Sequence, residues 1–383
     1  MLNVILTGSV AFAITFLATP AIMRIAKEKK LFDLPDARKL HTDPIASLGG
    51  VGIFLGFFLS SLLTISNAQY PEIQFVFASG IVIFFLGLKD DILVISAIKK
   101  FLGQLLAASI LIHLGNFQIR SMHGFLGFET LPLPVSYLIS YITIIVVINA
   151  YNLIDGVDGL AGSLGVLTSF IFGGYFFMAG MPAYALMAFA MMGSLLAFLV
   201  FNFNPARIFM GDSGSLLLGM VNAALVIKFI AIADQPGAQL PVSAVVAVGF
   251  SILVVPLLDT LRVFSIRIAK GKSPFIPDRN HIHHLLLDKG LNHRYVTVSC
   301  VALNIAFIVL AYFGQSLGST TLIFLMLVLS SGVMGILMLV KKPSATIVIS
   351  SSFQHVTSEP VIQASTKIVP ISNEAAVANN DLV

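Results

Sequence analysis

The 383-residue sequence is 57% hydrophobic and only 10% charged, with 22 Lys and Arg against 18 Asp and Glu, for a net charge of +4. Mean hydropathy is +0.96, which excludes a soluble globular enzyme and a disordered chain and puts the sequence among polytopic membrane proteins. The positive balance reflects an uneven distribution of basic residues along the chain and gives no reason to expect a nucleic-acid partner.

A bilayer core of roughly 30 Å calls for about 20 apolar residues per helix. Windows of that kind predict an all-α fold with spans at 2–23, 48–66, 73–88, 101–114, 135–149, 160–179, 184–203, 213–232, 242–266, 295–314 and 319–340. This makes eleven, or ten if the short fourth window does not cross; extending it backwards would bury Lys99 and Lys100 unless they snorkel. Span one lacks a basic leading region and is followed by a basic cluster, so it reads as a retained helix. All but two of the Lys and Arg follow odd-numbered spans, the exceptions being Arg120 and Lys228. The positive-inside tendency therefore predicts an outside N-terminus and a cytoplasmic C-terminus in a multi-pass membrane protein. The segment 117–133, rich in turn residues, suggests a small external β-hairpin. Residues 1–342 form the membrane domain, and 343–383 a polar cytoplasmic tail whose composition predicts disorder. The single Cys300 permits no internal disulfide.

The polar motifs, taken along the chain, fall after odd-numbered spans, apart from Asp259 and Arg262 inside span nine. Arg38, Lys39 and His41 precede span two, where they set topology or hold the phosphate of a membrane lipid. Asp90 and Asp91 close span three; adjacent carboxylates in a partly desolvated place repel unless a proton or cation neutralises them. The segment Asn149-Ala150-Tyr151-Asn152-Leu153-Ile154-Asp155-Gly156-Val157-Asp158-Gly159-Leu160 sets two acids three residues apart among glycines. Ionised groups beside hydrocarbon spans usually bind an ion or face a polar cavity, whereas an interhelical polar cluster is the plainer account.

The stretch Arg207-Ile208-Phe209-Met210-Gly211-Asp212-Ser213-Gly214-Ser215 opens span eight. Asp212 or Ser213 caps the helix there, or the exposed amides take phosphate while the carboxylate takes magnesium. Phe209 packs against lipid or stacks on a nucleobase. Asp259 and Arg262 read as a structural ion pair. The loop Pro277-Asp278-Arg279-Asn280-His281-Ile282-His283-His284 suggests zinc at first sight, but it lacks cysteines and the metalloprotease spacing; the residues fit better as diphosphate donors.

Together the ordered Asp-Asp, Asn-x-x-Asp-Gly-x-Asp-Gly, Phe-Met-Gly-Asp-x-Gly-Ser and Pro-Asp-Arg-x-His-x-His-His motifs resemble the polyprenyl-phosphate N-acetylhexosamine-1-phosphate transferases over residues 24–294. The resemblance implies transfer of a sugar 1-phosphate from a UDP-N-acetylhexosamine to undecaprenyl phosphate, with release of UMP. It implies a magnesium cofactor, with manganese as a substitute, and is compatible with a homodimer. On that basis Asp212, with Asp155, is the expected metal ligand, and Asp90, supported by Asp91, engages or deprotonates the lipid phosphate. Asn152, Asp155 and Asp158 shape the nucleotide and metal site, Phe209 and Asn202 contact the uridine, and Arg279, His281, His283 and His284 meet the diphosphate or sugar. The Asp-Arg-Asn-His-Ile-His-His version resembles the branch that transfers N-acetylglucosamine 1-phosphate and starts cell-envelope polysaccharides such as O-antigen, rather than the peptidoglycan branch with its UDP-N-acetylmuramoyl-pentapeptide donor. A cation-coupled transporter is the alternative from another class; it predicts acids near span centres and internal repeats.

Overall fold

A computed structural model of the chain describes residues 1–29, 31–33, 45–66, 69–233, 240–269, 271 and 281–339. The tail assigned to 343–383 lies outside the described residues, as do Arg38, Lys39, His41 and Arg279.

Every predicted apolar window is helical. In chain order the helices are α1 (Leu2–Glu28), α2 (Gly49–Thr64), α3 (Ile73–Ile92), α4 (Ala97–Ser109, continued by a π turn to Leu114), α5 (Leu133–Ile154), α6 (Leu160–Met178), α7 (Pro182–Asn202) and α8 (Gly211–Ile232). They continue as α9 (Val245–Ile252), α10 (Val254–Ala269), α11 (Ile282–Asp288), α12 (His293–Phe313) and α13 (Gly318–Leu339). Among the described residues nine helices are long and apolar enough to cross a membrane, and the α9–α10 pair makes a tenth, broken one. The 16-residue α2 would extend only about 24 Å, short of a full crossing. Two strands of two residues, β1 (Phe32–Asp33) and β2 (Ile45–Ala46), are the only sheet among the described residues. The expected hairpin is reduced to two antiparallel arms: Met122 N–H donates to Glu129 O, Leu131 N–H donates to Arg120 O, and a 3-10 turn, Phe125–Gly127, closes them.

α8 is the centre of the bundle. Every residue from Ser213 to Ile227 is buried, so this helix shows no polar face and packs against α3, α5 and α2 around its circumference. Prolines open α7 at Pro182 and lie in the first turn of α5, where the missing N–H costs no intrahelical bond. Asn292 caps α12 by accepting from Tyr295 N–H at 3.0 Å.

Span nine departs from the sequence expectation of one helix over 242–266. It breaks at Leu253, and α9 and α10 meet at 84°. Pro256 has no N–H to offer the Ile252 carbonyl one turn back. The buried amide of Asn304, from α12, is inserted in its place: Nδ2 donates to Ile252 O at 3.1 Å and to Ser251 O at 3.4 Å, while Oδ1 accepts from Val255 N–H at 3.2 Å. Backbone groups freed inside hydrocarbon need such partners, and one side chain supplies three of them.

Candidate active site

The C-terminal ends of α3 and α5 and the N-terminal ends of α4 and α8 converge at one end of the bundle. Lys100, in the first turn of α4, points into this junction. Its Nζ lies 2.5 Å from Asp212 Oδ2, 3.1 Å from Asp90 Oδ2 and 3.3 Å from Asn152 Oδ1. Asn152 Nδ2 donates to the other oxygen of Asp212 at 2.6 Å and to Ser215 Oγ at 3.0 Å. Asp90 also accepts from Ile95 N–H at 2.9 Å, which folds the α3–α4 turn back on the carboxylate. One turn deeper, Gln104 and Asn149 exchange amide hydrogen bonds at 3.2 and 2.9 Å and fix α4 against α5.

Asp91 does different work from its neighbour. Its two oxygens accept from Asp212 N–H at 2.6 Å and Ser213 N–H at 3.0 Å, so it caps α8 from another helix. Close approach makes this possible. A side chain at Gly87 would overlap the main chain of Asp212 and Ser213, and Gly211 turns into α8 with φ +72°, its Cα beside the Asp91 carboxylate. Two of the amides at this helix start, those of Asp212 and Ser213, are therefore occupied by Asp91, and neither Asp212 nor Ser213 supplies the cap.

Asp155 ends α5 and faces the same junction. No hydrogen-bond donor or cation among the described residues reaches its carboxylate. Although a little of the side chain meets solvent, the surrounding protein desolvates it, and Asp212, Asp91 and Asp158 repel its charge. Both effects hold its pKa well above the usual carboxylate range. Four aspartates thus stand around a single ammonium. The arrangement is short of positive charge.

The remaining acid of this segment, Asp158, is 3% exposed and faces inward. Oδ2 accepts from Ala206 N–H at 3.1 Å, Oδ1 lies 3.1 Å from His293 Nδ1, and its carbonyl accepts from Thr297 Oγ1 at 2.9 Å. Asn202 is likewise committed to main chain: Oδ1 accepts from Gly159 N–H at 2.9 Å and Nδ2 donates to Ile208 O at 2.8 Å. Phe209 joins its main chain to the strand side, donating from N to Ala46 O and accepting at O from Gly49 N–H, and its ring is half-buried.

The histidine segment reaches the site from α10. Asp259 accepts from Ile282 N–H at 2.7 Å and pairs with His281 Nδ1 at 2.8 Å, so the carboxylate that the sequence matched with Arg262 holds the start of α11. His281 and His283 stack at 5.4 Å between ring centroids, and His284 lies 4.4 Å from His283. His283 abuts Gly156, where any side chain would strike its imidazole. Burial, opposed only by Asp259, pushes the His283 pKa down to about 3, so the ring is neutral.

A family model described as glycosyl transferase family 4 matches residues 73–230, which contain all four aspartates, Lys100 and Asn152. An undecaprenyl-phosphate alpha-N-acetylglucosaminyl 1-phosphate transferase of Yersinia pestis is 30% identical over 315 residues, covering 79% of this chain and 84% of the relative. A decaprenyl-phosphate N-acetylglucosaminephosphotransferase of Mycobacterium leprae is 32% identical over 324 residues, covering 76% of this chain and 79% of the relative. The chain belongs to glycosyl transferase family 4.

For a family 4 chain, the site divides into groups that meet and groups that support them. Asp90, Asp91, Asp155, Asp212 and Asn152 share one junction, whereas Asp158 and Asn202 are tied into the loops behind it. Lys100, Gln104 and His293 were absent from the sequence-based site. A signal existed for the first two, because residues 100 and 104 lie on one face of α4 at the spacing that meets Asn149 and Asn152 on α5. Among the described residues no three His, Cys, Asp or Glu side chains converge as a closed metal cage. Magnesium does not ask for one: it is commonly held by one or two carboxylates, waters and substrate phosphates. Hard oxygen donors with an excess of negative charge fit such an ion.

Proposed function

We propose that this family 4 protein transfers N-acetylglucosamine 1-phosphate from UDP-N-acetylglucosamine to undecaprenyl phosphate, forming the lipid diphosphate sugar and UMP. An oxygen of the lipid phosphate attacks the β-phosphorus, the bond from that phosphorus to the bridging oxygen breaks, and the electron pair leaves with UMP. The observation that carries this reading is the gathering of Asp90, Asp91, Asp155 and Asp212 around Lys100 at one end of the bundle, where a polar donor and a lipid phosphate can meet. Acids at a span end, rather than at span centres, speak against a transporter.

In this reading Asp212 and Asp155 hold magnesium, which when bound spreads the negative charge of the diphosphate. Lys100, already between Asp90 and Asp212, turns toward the phosphate that arrives there. Asp90 positions the lipid phosphate through Lys100. The histidine segment, held by Asp259 against Gly156, closes the sugar side. The uneven Lys and Arg distribution supports a cytoplasmic-membrane protein with this end facing the cytoplasm.

The test is purified full-length protein with undecaprenyl phosphate, magnesium and a panel of UDP-N-acetylhexosamines and UDP-N-acetylmuramoyl-pentapeptide, following UMP. UMP from UDP-N-acetylglucosamine, dependent on lipid phosphate, is expected. Release from a different donor alone corrects the sugar; no release from any donor overturns the reaction.

A further inference from the structure

At the other end of the bundle, a cavity of about 410 Å³ opens where the segment after α4 folds over the end of α8. Its lining includes Arg120, Lys228, Gln118, His123, Tyr184 and Phe117. Lys228 follows Asp212 by sixteen residues on one helix, which puts it roughly 24 Å along α8 from the carboxylates. The two cations that the sequence leaves on the far side of the bilayer thus share one enclosure. Topology gives no account of them, since basic residues at that side oppose the general asymmetry.

The two differ in how they are compensated. Lys228 Nζ lies 3.7 Å from a carboxylate oxygen of Glu72 and 4.6 Å from the centroid of the Tyr184 ring, and the Tyr184 hydroxyl donates to Glu72 at 2.8 Å. Arg120 has neutral partners only. Its Nη2 donates to Asn116 Oδ1 at 2.8 Å and its Nε to Gln118 Oε1 at 3.4 Å, while Gln118 itself donates to Asn116 at 2.9 Å. These amides orient the guanidinium without neutralising it, and no carboxylate among the described residues pairs with it. His123 lies against the Ile230 carbonyl, with Nε2 at 2.9 Å. Arg120 and Lys228 against Glu72 leave one net positive charge toward the cavity.

We propose that this cavity binds a phosphate group, carried by an anionic lipid or free in solution, independently of the transferase site. A held guanidinium offers planar paired donors that match phosphate oxygens, and an ammonium nearby adds a point charge. Phe117 and Ile227 give the enclosure an apolar wall suited to the first carbons of a lipid headgroup.

Two arms on the full-length protein in nanodiscs distinguish the sources. In discs of mixed phosphatidylglycerol and phosphatidylcholine, native mass spectrometry counts retained anionic lipids. If the ligand is lipid, Arg120→Gln lowers the most highly phosphatidylglycerol-loaded species about tenfold, and Arg120→Lys, which keeps the charge without the paired donors, recovers only part of it. In phosphatidylcholine alone, inorganic phosphate at constant ionic strength raises the melting temperature of wild type but not of Arg120→Gln if the ligand is free phosphate. Arg120 is exposed, so Arg120→Gln is expected to melt like wild type in phosphatidylcholine without phosphate. Equal lipid retention by wild type and Arg120→Gln, together with no phosphate effect on wild type, overturns the proposal.

Discussion

Lys100 is the one cation bonded to the aspartates among the described residues, and its surroundings explain why a lysine is tolerated at the start of an apolar helix. Its charge is spread over Asp90, Asp212 and Asn152. Lys100→Met removes that charge while keeping the stem; UMP release is expected to fall about 100-fold or more, and the melting temperature in divalent-free buffer to fall as well, because Asp90 and Asp212 lose the cation they share. His283 makes a separate prediction. Its folded-state pKa of about 3 lies below the ordinary value of 6.5, so the unfolded chain takes a proton that the folded one refuses. That contribution to stability is complete above about pH 6.5 and is lost as pH falls toward 3, at roughly 1.4 kcal/mol per pH unit. Melting temperature against pH should show this acid limb, and His283→Gln should flatten it. The aspartates were legible in the sequence because acids are scarce and stand at span ends. Their division of labour was not: Asp91 serves as a cap only because Gly87 lets two helices touch, and nothing local to residue 91 records that contact.

At the scale of elements, helix existence followed directly from apolar windows, since a chain in lipid has few other ways to satisfy its backbone. The broken span did not. Pro256 marks a place where a helix is weakened, but the amide that makes an 84° break tolerable comes from Asn304, far along the chain on α12. Asn304→Leu keeps the volume and removes all three bonds. It is expected to destabilise the protein by about 1–3 kcal/mol for the orphaned groups, read as lower melting temperature. Because α10 carries Asp259, which holds His281 and Ile282, the same variant should lose turnover beyond what its stability explains.

At the scale of the bundle formed by the described residues, polar groups gather at both ends and the buried α8 closes the middle. Sidedness can be read chemically, because Cys300 is buried and gives a quiet background for labelling. Single cysteines at exposed Lys27 or Lys99 should react with a membrane-impermeant maleimide only from the cytoplasmic side, and one at exposed Leu126 only from outside. Reversed labelling would invert the orientation. The Lys and Arg pattern supplies an expectation of sidedness for that labelling to test, whereas the cavity shared by Arg120 and Lys228 depends on bringing residues 116–123 over the end of α8, which no window of sequence displays.

The ammonium of Lys100 has one more consequence. In a zinc finger the ion is part of the fold, and a chelator unravels it. Here a tethered cation already keeps Asp90 and Asp212 together, so the chain can insert and pack before the magnesium proposed above binds. Chelation of divalent cations should stop turnover while leaving the melting temperature nearly unchanged, and returning the ion should restart the protein without any refolding.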